Sequence, residues 1–261
     1  MRFLISILLC INTAWATESV FVLNTTNNRV EHAVNPDQVR GIASITKLMT
    51  AMVALDTDRD LDKKLKLTRR VAGHLPVQEY TRRQLLEAML IKSDNAAAET
   101  LAEDYPGGRA QFIQRMNWYS QIWDMPNTKF SDASGLSAFN VSTARETAEL
   151  VNIASSYWLI REISTKKQAD IETRYKKKVR KIKLSHTSGS ILEFDNVLVS
   201  KTGLTTAAGW CVGLAVEKQK QGYVIVILGS KNKTQRLNTV RDILYNHIVD
   251  TNIISPEKFA N

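Results

Sequence analysis

Ser44-Ile45-Thr46-Lys47, Ser93-Asp94-Asn95 and Lys201-Thr202-Gly203 follow one another along the chain. Together they offer a serine hydroxyl, a lysine amine placed to take its proton, and a second lysine able to hold a carboxylate. Such a set can transfer an acyl group through serine without histidine. A serine hydroxyl attacks poorly until a base removes its proton, and a neutral amine one helical turn away can be that base.

Each motif is weak alone. Ser-x-x-Lys recurs at Ser164 to Lys167, Ser230 to Lys233 and Ser255 to Lys258. Only Ser44 heads a run in which Leu48, Met49, Met52, Val53 and Leu55 return at helical spacing, which puts its hydroxyl near the free N–H groups of a helix start. Lys47 then stands roughly 300° around and about 4.5 Å further along, on nearly the same face. By contrast, Ser164 enters a charge run, Ser230 follows a strand, and Pro256 interrupts the last match. Taken singly, Ser44 reads as a capping serine, Ser93-Asp94-Asn95 as an Asx turn, and Lys201-Thr202-Gly203 as a strand running into a turn. Their order and context favour chemistry.

The elements that must position these residues are legible at coarse grain. Ser19 to Asn24 and Arg29 to Val34, joined by Asn27-Asn28, read as a hairpin feeding the Ser44 helix. Thr81 is placed to cap a helix carrying Leu85, Leu86, Met89 and Leu90, and Ala96 to Ala102 forms another. Gly107-Gly108 precedes a helix from Arg109 to Trp123, whose Phe112, Ile113, Met116 and Tyr119 belong to the core. Phe130 to Asn140 reads as an ordered loop in which Asp132 and Asn140 satisfy backbone groups. Ser142 is then placed to cap a helix through Tyr157. Val197 to Val199, Trp210 to Val216 and Tyr223 to Leu228 are strands, closed by a helix from Gln235 to Val249. Strands at both ends with helices between predict an α+β fold: an antiparallel sheet of N- and C-terminal strands, flanking helices and an inserted, mainly helical lobe.

Arg2, the apolar Phe3 to Ile11 and the small residues of Ala14-Trp15-Ala16 predict an export signal over 1–16, cleaved after Ala16. Residues 17–261 form one domain of two lobes, with no integral membrane segment. Cys211 is then the only cysteine, so the core holds without a disulfide. Net charge falls from +9 to +8 with loss of Arg2. Much of the excess lies in Lys176 to Lys183, where an apolar residue recurs among the bases, as on an exposed strand edge guarded by lysines. An exported chain has little occasion to meet nucleic acid, so none is expected as partner. His32, His74, His186 and His247 lack ligand spacing, and no metal or other cofactor is expected.

With its flanks, the constellation resembles the penicillin-binding protein and serine β-lactamase superfamily, most closely the low-molecular-mass D-alanyl-D-alanine carboxypeptidases and endopeptidases. The likeness rests on Gly41 to Ala51, Leu90 to Ala98, Gly135-Leu136 with Asn140 to Ala144, and Ser200 to Gly203 followed by Ala208 to Cys211. It implies that Ser44 attacks the carbonyl between two D-residues of a peptidoglycan stem peptide, forming an acyl-enzyme. It also implies Lys47 as base, Ser93 as proton relay, and Asn95, Lys201, Thr202 and Gly203 as the substrate-binding set. The resemblance further implies an oxyanion hole formed by the N–H groups of Ser44 and Leu204, and β-lactams as covalent inhibitors. Class A β-lactamases carry Glu-x-x-Leu-Asn before the Lys-Thr-Gly strand; no such pattern occurs between Phe130 and Lys201. The chain stops soon after its last helix, which resembles the soluble endopeptidase branch and suggests the periplasm. A carboxypeptidase trimming terminal D-alanine, a β-lactamase and a non-catalytic wall-binding module stand as alternatives.

Overall fold

The computed structural model describes residues 18–175 and 178–248. The expected export signal lies outside them, as do Lys176, Lys177, Val249 and the segment beyond.

Strands β1 (Ser19–Asn24) and β2 (Arg29–Val34) form the expected hairpin. A short β3 (Arg40–Gly41) runs through a 3₁₀ turn at Ala43–Ile45 into α1 (Thr46–Thr57). A ribbon of β4 (Lys64–Lys66) and β5 (Glu79–Thr81) precedes α2 (Arg82–Ile91), α3 (Asn95–Glu103) and α4 (Gly108–Ile122). Next come β6 (Val141–Ser142), α5 (Ala144–Ser155) and α6 (Trp158–Ser164). The hairpin of β7 (Gln168–Tyr175) and β8 (Lys178–Ser185) precedes β9 (Val197–Thr205), β10 (Gly209–Lys218) and β11 (Gln221–Ser230). Helix α7 (Lys233–Asp242) and a π-helical turn at Ile243–His247 follow.

The main sheet is antiparallel in the order β2-β1-β11-β10-β9, so first and last strands of the chain share it and β9 is an edge. Its inner strands are apolar on both faces because both are covered. Phe21, Cys211, Ala215, Val224 and Val226 turn toward α1 and α5, whereas Val20, Val22, Val212, Leu214, Ile225 and Ile227 turn toward Val240, Ile243 and Leu244. The fold is α+β, as its sequence predicts. Helix α1 lies in the main core and is buried from Thr46 to Ala54.

Local capping follows the sequence with one shift. Thr81 caps α2 in a reciprocal capping box with Gln84. Thr143, not Ser142, caps α5 by accepting the Glu146 N–H at 3.0 Å. The Ser142 hydroxyl instead meets Thr128 Oγ1 at 2.7 Å. The helix expected through Tyr157 ends at Ser155, and after a turn a further helix, α6, starts at Trp158. From Lys178 onward the lysine-rich stretch lies in β8, which pairs with β7 alone in a two-stranded sheet, with Lys181 paired to Glu172.

Candidate active site

Ser44 lies in the 3₁₀ turn ahead of α1. It does not cap the helix: Ile45 occupies that position and makes no side-chain cap bond. Its Oγ is 2.9 Å from Lys47 Nζ, as the one-turn spacing requires. The Lys47 side chain is wholly buried, and Nζ donates to Asn95 Oδ1 at 2.8 Å and to the Ser134 carbonyl. Burial pushes this amine from 10.5 down to about 7, against the opposing pull of Asp132, Asp94 and Glu99. A neutral amine donating to Asn95 and Ser134 keeps its lone pair for the Ser44 hydroxyl proton.

The Ser93-Asp94-Asn95 turn divides its labour. Asp94 is structural, capping α3 by accepting the Ala97 N–H at 2.8 Å and fastening a distant loop through the N–H groups of Leu75, at 2.9 Å, and His74. That anchorage holds Ser93 in the left-handed region, φ 62°, a conformation that costs of order 1–3 kcal/mol and persists only when its surroundings impose it. Ser93 Oγ then accepts from Lys201 Nζ at 3.0 Å, while Asn95 receives Lys47. The two lysines are thus held by alternate residues of one turn.

Lys201 lies on the edge strand β9, fully buried, and also donates to the Thr202 carbonyl at 2.9 Å. Burial first, then Lys47 and Arg236, hold its amine well below the usual lysine range. Thr202 Oγ1 donates to Thr187 Oγ1 at 2.8 Å. A Cβ on Gly203 would lie 3.0 Å from Ser44 N, so only glycine lets this strand approach so near the Ser44 amide. Leu204, the next residue, has its side chain half exposed.

The Phe130 to Asn140 loop closes the site from behind. Asp132 accepts the N–H groups of Ser134 at 3.0 Å, Gly135 at 2.5 Å and Ser137 at 2.6 Å. Asn140 Oδ1 accepts those of Ser131 and Asp132, and its Nδ2 donates to Thr46 Oγ1 at 3.1 Å. Both residues organise the loop as expected, and the loop delivers the Ser134 carbonyl to Lys47. Gly135, at φ 78°, backs onto the peptide between Ala43 and Ser44; a Cβ there would overlap Ala43 O and stand 2.9 Å from Ser44 N. Gly135→Ala is therefore expected to destabilise the fold by about 1–3 kcal/mol and to slow acylation of Ser44 up to about 10²-fold through misplacement. Thermal unfolding alongside penicillin-labelling rates checks both.

Three contributors have no sequence motif. Ser134 acts through its carbonyl, which any residue carries. Thr187 is tied to the end of α2 by its N–H to Ile91 O at 3.1 Å, and its hydroxyl reaches Thr202. His186 is buried beside them; burial and the Lys201 charge push it down to about 4, so the ring is neutral at pH 7. The thiol of Cys211 is pushed up to about 11 by burial, which keeps it protonated and inert.

The Peptidase S11 family model, described as D-alanyl-D-alanine carboxypeptidase, matches residues 11–232. The D-alanyl-D-alanine endopeptidase of Escherichia coli strain K12 is 34% identical over 227 residues, covering 84% of this chain and 73% of that protein. A mutant of the Streptomyces K15 DD-transpeptidase is structurally similar with a TM-score of 0.81 at 25% identity, over 87% of this chain and 95% of that one. Penicillin-binding protein D2 from Listeria monocytogenes, in its cefotaxime-bound form, is similar with a TM-score of 0.76 at 27% identity, over 87% of this chain and 94% of that chain.

Proposed function

Because this chain belongs to the Peptidase S11 family of serine-type D-alanyl-D-alanine peptidases, we propose that it is a DD-endopeptidase cutting cross-links between peptidoglycan stem peptides, with Ser44 as nucleophile. The observation that carries this reading is the buried Lys47 amine, pushed down to about 7 and 2.9 Å from Ser44 Oγ.

In this mechanism Lys47 takes the Ser44 proton as Oγ attacks the D-alanyl carbonyl. The oxyanion is held by the N–H groups of Ser44 and Leu204, a role supported by the close approach of Gly203 to the Ser44 amide. Ser93, bonded to Lys201, passes a proton to the departing amine. Asn95 orients Lys47 and the substrate amide. Lys201 and Thr202 bind a substrate carboxylate, and Gly203 lets the peptide lie close along β9. Water then releases the acyl group. Residues 17–261 form the peptidase domain, which acts in the periplasm after removal of 1–16. β-Lactams acylate the same serine, as the cefotaxime-bound relative suggests.

Endopeptidase specificity is supported by the 34%-identical Escherichia coli relative of that name; the description of the family model favours a carboxypeptidase as second reading. Digestion of purified cross-linked and uncross-linked muropeptides separates them. Conversion of dimers to monomers is the expected result. Loss of terminal D-alanine with cross-links intact would replace the first reading by the second.

A further inference from the structure

A second polar and aromatic cluster lies at the other end of α1. The Asp56 carboxylate accepts hydrogen bonds from Tyr119 at 2.7 Å and Tyr157 at 2.8 Å. Burial and the neighbouring carboxylate push both phenols up, Tyr119 to about 12, so both remain donors at neutral pH. Tyr119 stacks on Trp123 with ring centres 4.6 Å apart, which stiffens the support behind Asp56. Beside Tyr157, the indole of Trp158 is 65% exposed. An indole left in water next to a buried Leu159 is an uncommon use of a large apolar side chain.

Leu55, Asp56, Arg59, Leu61, Tyr157 and Trp158 line a concave pocket of about 480 Å³, within the range of about 300–1,000 Å³ for small-molecule sites. It combines two leucines, an exposed indole, a carboxylate fixed by two phenols and an exposed guanidinium. A polyanion would meet Asp56, and a polycation would meet Arg59. A neutral polyhydroxylated ring uses every element: its C–H face lies on the indole, its hydroxyls bond the carboxylate and the guanidinium, and an acetamido methyl rests on the leucines. The rise along α1 puts Asp56 roughly 14 Å along the helix axis from Lys47. Since α1 is buried along most of that length, the pocket opens at the far end of a core helix, away from Ser44.

We propose that this pocket binds an N-acetylated amino-sugar segment of the wall glycan. The proposal rests on the wall-peptidase reading for its ligand, but sugar binding needs no catalysis. It holds the enzyme on the polymer between cuts.

Its test uses full-length protein carrying Ser44→Ala, titrated with chitotetraose and with peptide-free glycan chains whose lactyl carboxylates are amidated, followed by calorimetry and tryptophan fluorescence. Saturable binding is expected, weakened about tenfold by Trp158→Ala, as for loss of an aromatic anchor, and also reduced by Arg59→Ala. In the active enzyme, Trp158→Ala should raise the apparent KM on intact wall sacs while leaving cleavage of soluble cross-linked dimers unchanged. Absence of binding to both glycans overturns the proposal, as does undiminished binding by both variants. An equal loss on soluble dimers also overturns it, since the residue would then be acting on the fold or the catalytic cleft. If wild-type protein leaves dimers uncut, the peptidase reading fails while the sugar titration keeps its own answer.

Discussion

Ser44→Ala is expected to abolish covalent labelling by a fluorescent penicillin and to lower dimer cleavage by on the order of 10⁴–10⁶-fold, the scale seen when a serine nucleophile is removed. The fold should survive. Ser44 caps no helix, and losing its hydroxyl leaves Lys47 with Asn95 and Ser134 as partners. Unchanged thermal unfolding together with an unlabelled band on a gel is the predicted pair of results. Labelling that persists in the variant would move the nucleophile elsewhere and undo the assignment. In the wild-type protein the penicilloyl group should also stay attached. The Glu-x-x-Leu-Asn pattern that positions a deacylating water in class A β-lactamases does not occur between Phe130 and Lys201. Rapid penicillin hydrolysis would contradict that expectation.

Lys47→Met should slow acylation by about 10²–10⁴-fold, the usual worth of a positioned general base. Methionine fills much of the same volume, although Asn95 Oδ1 and Ser134 O lose their donor, at a cost of about 1–3 kcal/mol. The accompanying pH dependence has a definite sign. Attack needs the neutral amine, and the amine is pushed down to about 7. Acylation should therefore rise with pH through about 7 and level off above it, whereas an ordinary lysine would keep climbing toward 10.5. Lys201 is depressed as well, with Lys47 among the causes, so the two amines share their titration. The variant assigns the rising limb: if Lys47 is the base, Lys47→Met loses the inflection near 7 along with the rate. A stopped-flow acylation series over pH measures both quantities. An unchanged inflection in the variant would assign the proton transfer to another group.

Much of this site was legible because its closest relationships are local. Lys47 stands three positions after Ser44, so helical geometry alone predicts that their side chains meet, and they do at 2.9 Å. The reciprocal cap of α2 by Thr81 and Gln84 is another case in which chain neighbours decide the outcome. Strand alternation and apolar content likewise suffice for β1, β10 and β11, because every second side chain faces the same layer. Where the local signals compete, the sequence misleads slightly: Ser142 and Thr143 are both competent caps, and pairing of Ser142 with Thr128 decides for Thr143.

By itself, then, the sequence singled out the serine proposed as nucleophile, the two lysines, the turn between them and an α+β fold joining both ends of the chain. Tertiary structure alone decided which lysine each residue of that turn would hold. It also decided that a loop carbonyl from Ser134 would accept from Lys47, that Thr187 would brace Thr202, and that the Lys47 amine would fall to about 7. The reason is physical. Periodicity and capping act over a few residues, but a pKa depends on how completely water is excluded. A bond such as that from Lys201 to Ser93 joins parts of the chain 108 residues apart, which only the packed fold brings together.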